Sequence, residues 1–289
     1  MISIVVCSVN KEGRALFAEE LERTIGVEHE LIMIANDVEK LSICTAYNKG
    51  AAAAKYPFLC FIHEDVTFHT IDWGAALVEN LRNKKTGFLG LAGSTLKTRN
   101  PSPWWITHEN PQALSYRRVH YIQSGSEQSQ STRDDGLLAE VLLLDGFFLA
   151  CTTETWSQTR FDEKTLRGFH FYDMDICMTA HAGGLKNYVY RGALIEHHSS
   201  GSLNKGWVQG AEAFQKKWQP SLPAAIGPLP QKDLPQLERL ALVDYVNTLI
   251  NNGYQWLSLK YLAALLTRYK SSPDGRQVLK FWLRHLFRS

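Results

Sequence analysis

The segment Pro57-Phe58-Leu59-Cys60-Phe61-Ile62 is a short apolar run, and the polar residues His63-Glu64-Asp65 follow it directly. A run of this length and composition is typical of a strand buried on both faces of a parallel sheet. Ligands of open α/β sheets bind beyond the carboxyl ends of the strands, which is where these three polar residues fall. The segment therefore predicts a buried strand with a candidate site at its end.

Similar patterns extend in both directions from this strand. Residues 3–9 and 30–35 are predicted strands, and residues 14–24 and 41–55 are predicted helices. Strands that alternate with helices indicate an α/β fold. Later in the chain, strands are predicted at 88–92, 139–144, 147–151 and 188–195, a helix at 172–183, and three more helices at about 236–252, 256–270 and 275–287.

Composition suggests how the chain is divided. Residues 219–235 hold five of the ten prolines, which predicts a linker or wrapping segment between a catalytic domain at 1–218 and a helical C-terminal extension at 236–289. Residues 97–137 form a polar insertion with aromatic side chains. We interpret this insertion as a substrate loop or lid, and the alternative is an irregular surface loop.

Composition also excludes several classes of protein. The chain has 289 residues, of which 45% are hydrophobic and 21% charged, as in soluble globular proteins and unlike disordered chains. Its 31 basic and 29 acidic residues nearly balance, so no nucleic-acid partner is expected. The five cysteines form no CxxC pair, which favours buried thiols in a reducing cytoplasm. No signal peptide and no apolar run of about 18 residues is visible.

The C-terminal segment is the most basic part of the chain. Residues 254–289 contain seven Lys or Arg and one Asp. The apolar or aromatic side chains that fall on one helical face within 274–289 are Val278, Phe281, Trp282, His285 and Leu286, and the basic row beside them is Arg276, Lys280, Arg284 and Arg288. This pattern predicts peripheral contact with an anionic membrane. The alternative is that the stripe packs on the catalytic domain or on a second copy of the chain.

Three clusters carry candidate chemistry. In the first, strand alternation turns Glu64 away from His63 and Asp65, so the latter two can share a ligand such as Mn²⁺ or Mg²⁺, or simply be solvated. In the second, Asp173 and Asp175 lie on different faces of a helix start, where capping alone also favours carboxylates. The third, 196–202, suits a metal site or a phosphate loop, although a histidine pair is often structural.

Several common site motifs are missing from the sequence. It contains no P-loop, no G-x-G-x-x-G after the first strand and no G-x-S-x-G elbow. A P-loop nucleotidase, a dinucleotide-binding fold and a standard α/β-hydrolase are therefore disfavoured.

The order of eight segments matches one known family. The segments are 7–10 (CSVN), 47–51 (YNKGA), 61–66 (FIHEDV), 144–147 (LDGF), 160–163 (RFDE), 171–177 (FYDMDIC), 183–186 (GGLK), and His197 followed by Ser202. With them the chain resembles the inverting, family-2-like nucleotide-sugar glycosyltransferases of the GT-A fold that build surface polysaccharides. More narrowly, it resembles a bacterial branch in which a His-Glu-Asp motif replaces Asp-x-Asp. The resemblance implies a GT-A-type, Rossmann-like, mostly parallel sheet flanked by helices, with a C-terminal helical extension added here.

The same resemblance implies an activity and a set of site residues. The activity is transfer of one sugar from a nucleotide-sugar donor to a hydroxyl of a saccharide or lipid-linked acceptor, with Asp173 as general base. The residues implied for the donor are Asn10, Asp37, His63, Glu64, Asp65 and Asp145, those for Mn²⁺ or Mg²⁺ are Asp65, His63 and His197, and those for the acceptor are Trp104, Trp105 and Tyr172. The tryptophan pair would stack on a sugar face, or else pack inward.

Several features depart from the family's pattern. His63 stands in place of the usual first Asp, Tyr172 in place of Glu, and Gln215-Lys216-Lys217-Trp218 lacks the arginine of processive synthases, which favours single-sugar transfer. Two other functions remain open. A silent nucleotide-sugar binding or scaffold protein would bind a donor without turnover, and a metal-dependent nucleotidyltransferase would need a basic glycine-rich loop near the first strand. The protein is expected in the cytoplasm, at the inner membrane face. A homodimer is expected as a further interaction.

Overall fold

The computed structural model describes residues 1–107, 110–125, 130–131, 136–199, 201–270 and 272–286, and of 130, 131 and 286 only the backbone. The strands are β1 Ile2–Ser8, β2 His29–Ala35, β3 Phe58–Ile62, β4 Val66–Phe68, β5 Thr86–Gly90, β6 Ala92–Ser94, β7 Leu96–Lys97, β8 Arg117–Gln123, β9 Gln130–Ser131, β10 Leu138–Val141, β11 Leu143–Leu144, β12 Phe148–Thr152, β13 Lys186–Tyr190, β14 Ile195–His197 and β15 Ala224–Ala225. The helices are α1 Arg14–Thr24, α2 Asn36–Glu39, α3 Ile43–Ala53, α4 Trp73–Leu81, α5 Pro111–Ser115, α6 Thr153–Thr159, α7 Tyr172–Ala182, α8 Lys205–Trp218, α9 Leu234–Asn251, α10 Gln255–Arg268 and α11 Pro273–Leu286, with a 3₁₀ helix at Gln219–Ser221.

The central sheet has the strand order β10-β13-β5-β12-β3-β1-β2. β1 pairs in parallel with both β2 and β3, which places Val5 opposite Ile32 on one side and Phe61 on the other. The pairings give five strands one direction, and β12 and β10 the opposite one. Helix α3 packs on β1 and α7 on β5. This sheet flanked by helices, with a helical C-terminal extension, confirms the predicted fold class.

A second sheet has the strand order β11-β6-β8-β14-β4. Several of its strands directly follow strands of the first sheet in the sequence, as β6 follows β5. The second sheet corrects three predicted strands. Residues 88–92 divide between β5 of the first sheet and β6 of the second, with Leu91 between them. Residues 139–144 form β10 in the first sheet and β11 in the second, because the chain turns at Leu142, whose N–H donates to the Ser94 carbonyl at 2.8 Å. Residues 188–195 likewise divide between β13 and β14. Apolar continuity in the sequence does not reveal which sheet a strand joins.

The insertion at 97–137 is partly built into the fold. β8 lies inside it and pairs with β6 on one side and β14 on the other, so this part is a central strand and not a lid. The sequence prediction missed β8 because its residues, RRVHYIQ, form neither a continuous apolar run nor a strict alternation, and within this strand only Val119 is buried. Residues 108–109, 126–129 and 132–135 of the insertion lie outside the described residues.

Two of the sequence motifs meet in the core. Asn48, on α3, donates to the Phe161 carbonyl at 2.8 Å and to Glu163 Oε1 at 2.7 Å, and its own oxygen accepts from Trp156 Nε1 at 3.0 Å. Gly50, on the same helix, lies so close to β1 that a Cβ there would stand 2.3 Å from Val5 Cγ1. These motif residues therefore fix α3 against the sheet and position the segment that leads to α7.

The three C-terminal helices pack against one another, and Tyr245 and Leu249 of α9 join the core formed by residues 1–218. Val278 on α11 is buried, and Trp282 Nε1 donates to Ser258 Oγ of α10 at 2.9 Å. Phe281 and Trp282 pack on the cluster formed by α9 and α10. Val278, Phe281 and Trp282 of the apolar stripe therefore pack within the C-terminal extension itself, whereas the alternative given above was the catalytic domain or a second copy. The side chain of Leu286 and residue Arg288 lie outside the described part of the chain. Among those described, no helix combines the length and apolarity that crossing a membrane requires.

Lys97 supports a prediction about stability. Its ammonium is fully buried, donates to Ser102 Oγ at 2.8 Å and has no ion pair among the described residues. Burial lowers the pKa of Lys97 to about 7 from its ordinary 10.5. Between these values the unfolded chain binds more protons, so this group makes the free energy of unfolding rise with pH, by up to about 1.4 kcal/mol per unit.

Lys97→Met is therefore expected to flatten the rise in stability between pH 7 and 10.5. Urea unfolding at several pH values in this window measures it, with Lys270→Met, an exposed lysine, as the control. Parallel curves for the wild type and Lys97→Met would show that Lys97 is charged in the folded state.

Candidate active site

Three predicted metal ligands come together at the carboxyl end of β3. His63 and Asp65 follow the strand, and His197 is the last residue of β14. Asp65 Oδ1 lies 3.8 Å from His63 Nδ1 and 3.6 Å from His197 Nε2. One potential ligand atom from each side chain falls within 4.8 Å of the others. The predicted cluster therefore exists as one group of side chains.

Strand pairing explains why His197 arrives here. β14 runs antiparallel to β4 with His197 opposite Val66, and the His198 N–H donates to the Asp65 carbonyl at 3.0 Å. The Phe147 ring stacks on the His197 ring at 4.6 Å and 11°, which fixes the imidazole plane. The sequence predictions overlooked Phe147 as a support for His197, although it directly follows the quoted Asp145-Gly146.

The electrostatics of the group match the protonation states that a metal requires. Burial lowers the pKa of His63, and the neighbouring His197 lowers it further. Burial alone would raise the pKa of Asp65, but a hydrogen bond from His197 and the charges of both histidines hold it below its usual range. Metals bind neutral imidazole and ionised carboxylate, so the pKa directions of His63 and Asp65 suit a divalent cation.

Glu64 points away from this group, as strand alternation predicts. Its carboxylate accepts hydrogen bonds from Ser8 Oγ at 2.5 Å, from Val9 N at 2.9 Å and from Asn10 N at 3.0 Å. The Asn10 side chain in turn accepts from Gly13 N at 3.1 Å. Both residues were expected to bind the donor. In the structure they hold the loop between β1 and α1, at the same edge of the sheet as the cluster.

Asp37, the residue implied for the nucleoside, pairs with Arg14. The arginine also donates through Nε to Ser8 Oγ at 2.9 Å, so it connects the ends of β1 and β2. The hydrogen bond from Arg14 is the main cause that lowers the pKa of Asp37. Arg14 was not among the site residues predicted from the sequence. The one feature of the sequence that could have indicated it is the short polar run at 10–14, which follows the first strand.

Asp173 and Tyr172 stand at the start of α7, beside the cluster. The Tyr172 hydroxyl lies 2.8 Å from His63 Nε2, and its ring passes so close to Gly146 that a Cβ there would meet the hydroxyl at 2.1 Å. Burial, together with the charge of Asp145, raises the pKa of Asp173 to about 7. A half-buried carboxylate with this pKa is suited to accept a proton near neutral pH.

The turn into α7 is strained. Phe171, which precedes the helix, has a φ of 69°, a left-handed value that is uncommon for an aromatic residue. Its ring packs on Trp207 at 5.1 Å and on Phe214 at 5.5 Å, and both belong to α8. Such strain persists only where the surroundings hold it in place, and here it presents Tyr172 and Asp173 to the site.

Asp175 lies on the other face of α7, as the helical spacing predicts. Its side chain is 1% exposed, and it accepts from Trp218 Nε1 at 2.7 Å and from Lys217 Nζ at 2.9 Å. Lys217 also donates to Asp162 at 2.8 Å. Asp175 therefore ties α7 to α8 and has a structural role.

The tryptophan pair divides into a buried and a partly exposed member. Trp104 is 7% exposed, and its Nε1 donates to Asp145 Oδ2 at 2.6 Å. Trp105 meets it edge to face at 5.4 Å and lines a cavity of about 320 Å³ that Trp207 also lines. Inward packing thus holds for Trp104, which supports Asp145, while Trp105 is partly buried and lines the cavity.

The sequence profile of the "Glycosyltransferase like family" matches residues 3–219. The chain belongs to this family. The match spans most of the chain and ends at the start of the proline-rich segment. It confirms the coarse resemblance, and the finer branch stays a prediction. No curated protein sequence matches this glycosyltransferase-like protein significantly.

Two solved structures align with this glycosyltransferase-like protein. The structure of GalNAc-T7 with UDP, GalNAc and Mn²⁺ aligns with a TM-score of 0.49 and 14% identity over 83% of this chain and 53% of that one. This chain therefore spans about half the length of that protein. The structure of A197 from STIV aligns with a TM-score of 0.38 and 13% identity over 69% of this chain and 86% of that one.

Proposed function

We propose that this protein transfers one sugar from a nucleotide-sugar donor to an acceptor hydroxyl, with inversion at the anomeric carbon. One observation carries the proposal. A carboxylate with a pKa of about 7, Asp173, stands beside a three-ligand cluster and is joined to it through Tyr172 and His63. A base for the acceptor and a place for the charged leaving group thus lie at one edge of the sheet.

The cluster is proposed to hold Mn²⁺ or Mg²⁺. His63, Asp65 and His197 offer two nitrogens and one oxygen from positions that already converge. When bound, a divalent cation neutralises the negative charge that develops on a leaving nucleoside diphosphate. The chain's own contribution is to hold these side chains in their binding forms, through the stacked Phe147 and the Tyr172 hydroxyl.

Asp173 is proposed as the general base. The acceptor oxygen forms a bond to the anomeric carbon while the bond from that carbon to the diphosphate oxygen breaks. The hydroxyl proton passes to the Asp173 carboxylate, and the bonding pair leaves with the diphosphate. Attack from the face opposite the leaving group inverts the configuration. Asp145, which Trp104 orients, keeps the pKa of Asp173 high enough for this transfer.

The acceptor is proposed to bind in the cavity of about 320 Å³ between the segment at 101–107, the start of α8 and α9. Trp105 and Trp207 line it together with the amide side chains of Asn247 and Asn251. Aromatic faces suit the C–H patches of a sugar, and amides suit its hydroxyls. Trp207 packs on Phe171, two residues before Asp173, so one wall of the cavity contacts the segment that leads to the base. This supports a saccharide or lipid-linked acceptor, in polysaccharide or glycoconjugate synthesis.

A thermal-shift panel tests donor binding. Nucleoside diphosphates are added with and without Mn²⁺, and a ligand that binds the folded state raises Tm by mass action. We expect one base to give the largest shift, and only with Mn²⁺. A panel without any shift contradicts the proposal. A shift without turnover of the corresponding nucleotide sugar indicates the scaffold alternative.

The pH profile of the reaction follows from Asp173. A general base works in its ionised form, so kcat/KM is expected to rise about tenfold per unit below the pKa of about 7 and to level off above it. Steady-state assays between acidic and mildly alkaline pH measure the profile. Donor binding over the same range is the control, because protonation of His63 also changes metal binding. A profile that is flat after this correction contradicts the assignment.

A further inference from the structure

A cavity of about 550 Å³ lies between α8, α10 and the loop at 99–101. It is larger than the cavity proposed for the acceptor, and Pro101 lines both. Its remaining lining residues are Arg99, Asn100, Glu212, Ala213, Gln215, Lys216, Gln219, Lys260, Tyr261, Ala264 and Arg268. The volume is within the range of small-molecule sites.

The lining is strongly basic. Arg99, Lys216, Lys260 and Arg268 are all exposed, and none has an ion pair within the described part of the chain. The one acid in the lining is Glu212, whose carboxylate accepts hydrogen bonds from the hydroxyls of two tyrosines. The donors are Tyr245 at 2.6 Å and Tyr261 at 2.7 Å. Three positive charges thus remain uncompensated around one concave space, which concentrates a positive potential there.

The walls of this cavity are anchored to the fold. The Arg99 N–H donates to Glu238 Oε1 at 2.5 Å, and the side chain of Gln215 donates to the Arg99 carbonyl. The other atom of that amide, Gln215 Oε1, is buried without a hydrogen-bond partner. A buried unpaired acceptor is costly, and Gln215 belongs to the wall of this cavity.

We propose that this cavity is a binding site for a phosphate or pyrophosphate group. Arginine and lysine side chains are the groups that proteins use for such anions, and arginine binds them through paired hydrogen bonds. The Lys260 ammonium, 5.0 Å from the Tyr261 ring centre, is already held at the rim. The site uses no residue of the His63 cluster and does not depend on the transfer reaction.

The phosphate has two possible sources, a soluble compound or a lipid. The lipid source has its own structural support. Trp256, one helical turn before Lys260 on α10, is 87% exposed, and Leu259 beside it is 40% exposed. Exposed aromatic and apolar side chains next to lysines and arginines are typical of segments that contact anionic membranes.

Calorimetric titration with inorganic pyrophosphate tests the site. EDTA is present, so that no cation supports pyrophosphate at the His63 cluster. The variant is Arg99→Gln with Arg268→Gln, and the control is Lys270→Gln with Arg276→Gln, which removes two exposed charges outside the cavity. We expect about 10-fold or more weakening of Kd in the cavity variant and little change in the control. Equal losses in both variants, or no binding by the wild type, would overturn the proposal.

Sedimentation with vesicles separates the two sources. Phosphatidylcholine vesicles with and without phosphatidic acid are compared, and pyrophosphate is added as a competitor. Binding that requires phosphatidic acid, that pyrophosphate displaces and that the cavity variant loses supports a lipid phosphate. Absence of vesicle binding together with tight pyrophosphate binding supports a soluble ligand in the same cavity. Vesicle binding that the cavity variant keeps places the membrane contact elsewhere and counts against the lipid source.

Discussion

Asp173→Asn is expected to lower kcat for sugar transfer by about 10²- to 10⁴-fold, the usual contribution of a general base. The amide keeps the shape of the side chain but cannot take the proton of the acceptor hydroxyl. Because Asp173 is outside the His63 cluster, metal-dependent donor binding should stay close to that of the wild type. Initial rates of nucleoside diphosphate release, together with donor Kd, measure the two effects separately.

Asp175→Asn is the matched control for this substitution. The same change of carboxylate to amide occurs two residues further along α7, but on the face that bonds Trp218 and Lys217. We expect it to lower the free energy of unfolding, since it weakens a buried charge pair, and to leave the chemical step nearly intact. If Asp173→Asn turned over donor like the wild type, or if both variants lost activity equally, Asp173 would not be the base.

Asp65→Ala is expected to weaken Mn²⁺-dependent binding of the nucleoside diphosphate by about 10-fold or more. The substitution removes the only oxygen ligand of the cluster, and even residues that merely support a ligand change metal affinity by 10–100-fold. The measurement is donor Kd by titration, with and without Mn²⁺. The loss should appear only in the series that contains the metal.

His198→Ala serves as the control for the metal prediction. His198 is next in the chain to His197, but its ring is exposed and hydrogen-bonds Thr67 Oγ1 at 2.8 Å and Ser124 Oγ at 3.2 Å. We expect its loss to leave Mn²⁺-dependent affinity within a few-fold of the wild type. Donor affinity that is the same with and without Mn²⁺, in the wild type and in Asp65→Ala alike, would exclude the metal from donor binding.

Strand and helix periods correctly predicted the directions of several of these side chains. The alternation after β3 separates Glu64 from His63 and Asp65, and the structure shows Glu64 bonded to the β1 loop. The helical spacing of Asp173 and Asp175 likewise puts one carboxylate at the site and the other in the interior. These predictions succeeded because they depend only on local geometry, which the sequence encodes directly.

Strand alternation and helical spacing do not predict contacts between residues that are distant in the sequence. The bond between Tyr172 and His63 joins positions 109 residues apart, and the pairing of Arg14 with Asp37 occupies the carboxylate expected to bind the nucleoside. Neither contact leaves a repeat or a spacing in the sequence. Both depend on how strands and helices are arranged around the sheet edge, which becomes known only when the fold is.

The basic cavity was also not predictable from the sequence. Arg99, Lys216 and Arg268 come from a loop, from α8 and from α10, and in the sequence they look like ordinary surface charges. The sequence did reveal that the C-terminal segment is basic. It did not reveal that two of those charges face a cavity shared with the catalytic part, because only the docking of α10 brings them there.

The most direct test of the account is turnover of a nucleotide sugar by the purified protein. A panel of nucleotide sugars is incubated with the wild type, Asp173→Asn and Asp175→Asn in the presence of Mn²⁺, and release of nucleoside diphosphate is followed over time. We expect the wild type and Asp175→Asn to release nucleoside diphosphate from at least one donor. Asp173→Asn is expected to lose nearly all of this release. Binding of a nucleoside diphosphate with no release from any corresponding donor, or equal release by all three proteins, would contradict the account.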